Sequence, residues 1–212
     1  MEFTSVNKIF EAAFKKHWDR PAISNYQGVT LHYRDVARRI EKLHIMFEEC
    51  GLKKGDKVAL CSRNQANWAV AFLASMTYGA VPVPLLHEFK SSNIHHLVNH
   101  SEAKILFVDD VIWEGLTETE MPDVHAIIQV NTFKLLYAAE DCIRSAREHL
   151  NELFGRKYPN AFTPESINYY EDSAEELAII NYTSGTSGFS KGVMIPYRAI
   201  FSNMEFTKKV LP

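Results

Sequence analysis

The sequence has little of several features that would define a protein class at once. It contains only three cysteines, Cys50, Cys61 and Cys142, and their odd number and wide spacing predict neither a disulfide framework nor a thiolate zinc site. The formal net charge of −3 provides no basic excess, so bulk attraction to nucleic acid or to an anionic membrane is not expected. The N-terminus has no basic region followed by an apolar run, so we predict no secretory signal and a reducing, cytoplasmic location.

A long uninterrupted apolar span is also missing. Residues 64–86 carry no formal charge, but Gly79, Pro82 and Pro84 interrupt them, which predicts a buried helix and strand and no transmembrane segment. What is present suits a globular domain. The chain has 212 residues, 46% of them hydrophobic and 12% aromatic, which is enough for a substantial core.

Apolar runs alternate with helical periodicity along most of the chain. We predict strands at 58–61, 81–83, 105–108 and 126–130, with helices at 65–78 and 92–101 between them. This alternation predicts an α/β fold in which helices cover a mainly parallel sheet. We also expect a hairpin around Gln27-Gly28, an amphipathic helix ending at Gly51, one helix over 133–154 ended by Gly155, a central strand over 177–180, and a helix over 197–210.

The stretch from Tyr182 to Val193 has the strongest chemical character. Small residues let a backbone approach a ligand closely, and successive N–H groups form a nest that binds anions. Further donors come from the side chains of Thr183, Ser184, Thr186, Ser187 and Lys191. The combination predicts a polyphosphate cradle between two strands, without a helix dipole behind it. The alternative is an ordinary turn, since Ser, Thr and Gly are common turn formers.

Three familiar glycine or serine motifs do not fit this stretch. A Walker loop would need glycine at Ser190 and serine or threonine at Gly192. A nucleophile elbow centred on Ser187 would need glycine at Phe189, and no Gly-x-Gly-x-x-Gly is present.

The ordered run Tyr182 to Val193 resembles, almost residue for residue, the phosphate-loop signature of the adenylate-forming (AMP-binding) superfamily, which includes acyl-CoA synthetases, luciferases and peptide-synthetase adenylation domains. Three earlier segments resemble the family in the same order. Residues 31–36 are similar to its "TYxEL" segment, 51–58 to its "GxxxGDxV" step, and 79–85 to its "GAxxVPL" strand.

The resemblance implies a reaction and a set of ligands. Members couple a carboxylic acid to ATP, release pyrophosphate, and commonly pass the acyl group to coenzyme A, with Mg²⁺ on the phosphates. It implies that the β- and γ-phosphates are held by Thr183, Ser184, Gly185, Thr186, Ser187, Gly188 and Lys191. It also implies that Thr183 approaches the magnesium ion; no catalytic acid or base and no metal-binding side chain is assigned.

Two positions depart from the family pattern. Ser190 stands where many relatives have proline, which should loosen the loop, and Tyr197 stands where a histidine usually follows the next strand. Tyrosine does not share the charge state of histidine, so we assign no acyl-site role to Tyr197.

The family's adenine and ribose contacts, acidic magnesium ligand, most of its acyl pocket and its C-terminal lysine domain all follow the phosphate loop. We therefore expect residues 1–212 to be the N-terminal portion of the large AMP-binding domain. Alone, this portion should neither form adenylate nor bind ATP tightly, and its uncovered sheet edges should favour self-association. The expected partners are a carboxylic acid, ATP and CoA. Fatty acid is the favoured substrate, with aryl and amino acids left open.

Two further readings remain. The chain is an enzyme portion, or it is a non-catalytic phosphate-binding or regulatory module that kept only the loop. Separately, His96 and His100 form an i, i+4 pair that offers a metal site, but they lack the glutamate of a zinc-protease helix, so a solvated helix face is favoured.

Overall fold

The computed structural model describes residues 2–183 and 190–210. Its first element is helix α1 (Val6–Lys16), whose N-terminus is capped by the Ser5 side chain. Strands β1 (Pro21–Ser24) and β2 (Thr30–His32) pair antiparallel and form the predicted hairpin. Helix α2 (Tyr33–Glu49) follows and ends before Gly51, whose φ of +67° is a conformation that glycine adopts readily. The hairpin and this amphipathic helix therefore form as the sequence predicts.

A five-stranded sheet forms the centre of the fold. Its strands are β3 (Lys57–Cys61), β4 (Val81–Leu85), β5 (Ala103–Val108), β6 (Ala126–Gln129) and β7 (Leu135–Ala138), in the order β4-β3-β5-β6-β7. All neighbours pair in parallel except β6 and β7. Helix α3 (Ala66–Tyr78) joins β3 to β4, and helix α4 (Ser91–His100) joins β4 to β5. The predicted α/β fold with a mainly parallel sheet is confirmed.

Alternating side chains of each strand enter two separate apolar clusters. Val58 and Leu60 of β3 pack with α2 and α3 on one face of the sheet. Ala59 and Cys61 of the same strand pack on the other face with the apolar side of α4. Because both faces are covered, the strands are continuous apolar runs in the sequence.

The segment 133–154 differs from the prediction of one helix. It starts with a turn at Phe133, which has φ of +55°, and continues as strand β7 before helices α6 (Asp141–Glu148) and α7 (Leu150–Lys157). The run Leu135–Ala138 pairs with β6, and this backbone pairing outweighs its helical spacing. Gly155 lies inside α7 and does not end it. A short helix, α5 (Asp110–Trp113), begins at its N-cap Asp109.

The last described elements are strands β8 (Leu177–Thr183) and β9 (Lys191–Pro196) and helix α8 (Tyr197–Val210). The prediction that the run 177–180 is a central strand is wrong, because β8 pairs only with β9 in a separate antiparallel sheet. It lies beside β4, and its alternate residues Ala178, Ile180 and Tyr182 are buried. One buried face is enough to make the run apolar.

Two predictions concern the surface of the fold: that no segment is transmembrane, and that exposed strands favour self-association. Within residues 2–183 and 190–210, none of the helices combines the length and apolar character needed to cross a bilayer. Val193 and Met194 of β9 are exposed, 47% and 68% respectively. An exposed apolar strand can pair with another chain, so self-association stays a prediction.

A buried histidine lies between α2 and α3. The Nε2 atom of His44 is 3.1 Å from the Ala74 carbonyl oxygen and 3.1 Å from Thr77 Oγ1. Burial lowers the pKa of His44 from 6.5 to about 3, because the charged imidazolium loses its hydration there. The neighbouring Glu41 is also buried, and burial raises the pKa of its carboxyl group.

We expect His44 to make the protein acid-sensitive. Its unfolded form takes up a proton near pH 6.5 and its folded form only near pH 3, so its contribution to stability is lost as the pH falls through that window. The loss is about 1.4 kcal/mol per pH unit. Urea unfolding at pH 7, 6 and 5 should show a steeper decline for wild type than for His44→Gln.

Glu41 contributes a slope of the opposite sign, and its Oε1 atom lies 3.6 Å from His44 Nδ1. Both proteins are therefore compared in a Glu41→Gln background, which removes the titration of Glu41. The exposed His96, changed to glutamine, serves as the control and should leave the slope unchanged. Parallel slopes for wild type and His44→Gln would contradict the assignment.

Candidate phosphate-loop site

The candidate site is the end of the β8–β9 hairpin. In its register Tyr182 lies opposite Gly192, and Thr183 lies opposite Lys191. Strand β8 ends at Thr183 and strand β9 begins at Lys191, so the segment between them connects two strands, as the sequence predicts. The predicted loop residues Ser184, Gly185, Thr186, Ser187 and Gly188 lie outside the described residues.

The two described members of the predicted set form a pair. Thr183 and Lys191 are both exposed, at facing positions where the two strands end. Lys191 has no ion-pair partner among residues 2–183 and 190–210. The last described pair of the hairpin thus presents an exposed hydroxyl group and an exposed ammonium group, which are donors suited to a phosphate.

Gly192 packs closely on buried residues of β8. A Cβ atom at Gly192 would lie 3.2 Å from Ile180 Cγ2 and 3.3 Å from Tyr182 Cε1. Contacts this short are tighter than ordinary packing, so the Ile180 and Tyr182 side chains would have to move by a few tenths of an ångström to admit a side chain. The small size of Gly192 therefore leaves room for the buried Tyr182 ring.

Tyr182 also contacts helix α4. Its hydroxyl oxygen is 2.6 Å from Nδ1 of His100, and the two rings meet edge to face with centroids 5.8 Å apart. Burial raises the pKa of Tyr182, so its hydroxyl keeps its proton and can donate to the imidazole. Sequence reasoning missed this contact because 82 residues separate the partners and no motif joins them.

The rings of His96 and His100, the pair weighed from its spacing, lie 5.8 Å apart between centroids. Nε2 of His95 accepts a hydrogen bond of 3.1 Å from the Thr117 amide, whereas His100 contacts Tyr182. In the part of the chain that the structure describes, no three His, Cys, Asp or Glu side chains are grouped so that they could hold a metal ion.

Tyr197 is part of the core of the fold. It is 2% exposed, and its hydroxyl donates to the Met76 carbonyl oxygen at 3.3 Å and accepts from the Asn7 side chain at 3.2 Å. Burial raises its pKa far above the usual tyrosine value, so the side chain is neutral. Tyr197 therefore ties α8 to α1 and α3.

Comparisons with known proteins agree with this geometry. The family model described as "AMP-binding enzyme" matches residues 10–211. The chain is 25% identical to a long-chain-fatty-acid–CoA ligase of Salmonella typhimurium, over 97% of this chain and 39% of that protein. It is 26% identical to surfactin synthase subunit 2 of Bacillus subtilis, over 92% of this chain and 5% of that protein.

A solved structure gives the same architecture. The N-terminal subdomain of Klebsiella oxytoca NpsA, in complex with 3-hydroxyanthranilyl-AMSN, has a TM-score of 0.64 and 25% identity, covering 93% of this chain and 42% of that one. The chain thus spans less than half the length of these relatives. With the matched residues covering nearly the whole sequence, the chain belongs to the AMP-binding enzyme family.

Proposed function

We propose that the complete protein is an AMP-forming acid–thiol ligase that activates a carboxylic acid with ATP and transfers the acyl group to coenzyme A. The observation that carries the proposal is the facing pair Thr183 and Lys191 at the two ends of the glycine-rich loop. Residues 1–212 would be the N-terminal portion of the large AMP-binding domain. Since they span 39% of the Salmonella ligase, the groups that complete catalysis would come from the remainder.

The main requirement of the proposed reaction is stabilisation of the negative charge that develops on pyrophosphate. A carboxylate oxygen of the acid attacks the α-phosphorus, the bond to the bridging oxygen breaks, and pyrophosphate leaves with the bonding electrons. Negative charge therefore grows on the departing pyrophosphate. In this proposal the exposed Lys191 ammonium group and Thr183 hydroxyl group donate to that charge, and preorganised donors of this kind lower the barrier.

No chemical step of the proposed reaction is assigned to magnesium. The family resemblance implies that it would neutralise phosphate charge, a role in which Mg²⁺ is held by carboxylates and phosphate oxygens. Thr183 is the only member of the predicted set, among the described residues, with a hydroxyl for such a site. One hydroxyl does not make a metal site, and the described residues include no group of three His, Cys, Asp or Glu side chains that could hold a metal ion.

Fatty acid is the proposed substrate class. It rests on the Salmonella relative, which is named a long-chain-fatty-acid–CoA ligase. The NpsA complex with 3-hydroxyanthranilyl-AMSN makes an aryl acid one acid to compare, and the family resemblance makes an amino acid the other. Within the described residues of this chain we assign no acyl pocket, so the class has to be decided by kinetics.

Thioester formation with a panel of acids tests the proposal. The complete protein would be given ATP, CoA and either a long-chain fatty acid, a benzoate-type acid or an amino acid, and kcat/KM would be compared. We expect the fatty acid to have the highest value by at least tenfold. A preference for another acid would correct the substrate class, and no acyl-CoA from any acid would overturn the assignment of a CoA ligase.

A further inference from the structure

We propose that His100 is a positioning residue for the phosphate-loop hairpin and acts through the hydroxyl group of Tyr182. The inference rests on the proposed function of the Thr183–Lys191 pair but concerns a residue outside the loop and 82 positions away from Tyr182. In this role His100 holds the hairpin in one orientation.

The contact adds a polar link between the end of α4 and β8, which also share an apolar cluster containing Leu97 and Tyr182. His100 is the last residue of α4, and its Nδ1 atom lies 2.6 Å from the Tyr182 hydroxyl oxygen. A distance this short is typical of a well-formed hydrogen bond to a hydroxyl group. In the neutral ring that carries its proton on Nε2, Nδ1 accepts from the tyrosine.

His100 stands on a rigid support. The apolar side of α4, made of Ile94, Leu97 and Val98, is buried against the sheet. A two-residue turn connects His100 to β5, a central strand whose residues Leu106 and Val108 belong to the same cluster. A hydrogen bond to His100 therefore fixes the position of Tyr182 relative to the central sheet.

Tyr182 is held from two sides. Its ring packs on Gly192, where a Cβ atom would lie 3.3 Å from Tyr182 Cε1. Its hydroxyl group forms the hydrogen bond with His100. The residues next to this pair, Thr183 and Lys191, point to the opposite, exposed face because side chains alternate along a strand. Fixing Tyr182 therefore fixes the direction from which Thr183 and Lys191 approach a phosphate.

The hydroxyl group separates this role from simple packing. A phenylalanine at Tyr182 would fill the same apolar space beside Ile180, but it would leave Nδ1 of His100 without its partner. If packing alone positions the hairpin, the hydroxyl group is dispensable. If the hydrogen bond positions it, Tyr182→Phe and a change at His100 should have the same effect.

Kinetics of the complete protein test the proposal. His100→Leu should raise the KM for ATP or lower kcat by about two- to tenfold, the value of one hydrogen bond, with the KM for the acid unchanged. His100→Asn keeps an acceptor near the position of Nδ1 and should restore wild-type values. Tyr182→Phe should match His100→Leu, and the double variant should be no worse than either.

His149 provides the control, since it is an exposed histidine between α6 and α7, on the other face of the central sheet. His149→Leu should behave as wild type. An unchanged ATP dependence in both His100→Leu and Tyr182→Phe, or an equal effect of His149→Leu, would overturn the proposal.

A second measurement keeps the inference separate from the proposed function. Amide hydrogen exchange at Thr183 and Lys191 in the complete protein should be faster in His100→Leu than in wild type and normal in His100→Asn. If the wild type forms no acyl-adenylate, the proposed function fails while this exchange still decides the role of His100. Identical exchange in wild type and His100→Leu would reject the positioning role.

Discussion

Replacing Lys191 with alanine should slow acyl-adenylate formation by the complete protein about 100-fold, because removal of one preorganised donor to developing charge has effects of this size. The KM for the acid should change little, since the ammonium group faces the polyphosphate and not the acyl chain. Lys191 stands opposite Thr183 in the last described pair of the hairpin, and its side chain is exposed. Single-turnover kinetics at saturating acid, with ATP varied, measure the effect.

Two comparison variants make this result specific. Lys191→Arg keeps the charge but changes its shape, so it should recover part of the rate. Lys16→Ala removes an exposed lysine of α1 and should leave the kinetics unchanged. Loss of acid affinity in Lys191→Ala with an unchanged rate of adenylation would remove Lys191 from the phosphate site.

Replacing Asp172 with alanine should lower the free energy of unfolding by about 3 kcal/mol, because several charge-assisted hydrogen bonds are lost and buried amides lose their acceptor. The carboxylate is 4% exposed and lies at the N-terminus of α1. It accepts hydrogen bonds from the Ser5 hydroxyl at 2.6 Å, the Val6 amide at 3.0 Å and the Asn7 amide at 2.8 Å. These groups would otherwise be unsatisfied at the start of a helix.

Urea unfolding followed by circular dichroism measures this loss. Asp172→Asn keeps the shape and one acceptor oxygen, so its loss should be smaller than that of Asp172→Ala. Asp123→Ala, at an exposed position, is the control and should change stability by less than about 0.5 kcal/mol. Equal stabilities of Asp172→Ala and Asp123→Ala would show that α1 does not depend on this carboxylate.

The central sheet was predictable because local pattern and burial agree there. Strands such as β3 and β5 are buried on both faces, so each is a continuous apolar run between helices of clear periodicity. The prediction failed at Leu135–Ala138, where helical spacing and strand pairing compete and only the position of β6 decides. The prediction also failed at β8. This strand has one buried face, but its adjacent residues Ile179 and Ile180 make its sequence resemble that of a strand buried on both faces.

Only those features of the site that depend on residues close together in the sequence were predictable. The order of hydroxyls, glycines and Lys191 indicated a loop between two strands, and the hairpin has that form at its described ends. The contacts of Tyr182 with His100 and of Asp172 with Ser5 could not be found this way, since they join residues 82 and 167 positions apart. Such contacts depend on how elements pack, which a single sequence does not record.

Acid-dependent exchange of labelled pyrophosphate into ATP, measured on the complete protein, tests the central claim most directly. The proposed activity predicts exchange that requires both ATP and a carboxylic acid, and none from residues 1–212 alone. No exchange by the complete protein with any of the three acid classes, or robust exchange by residues 1–212 alone, would contradict it.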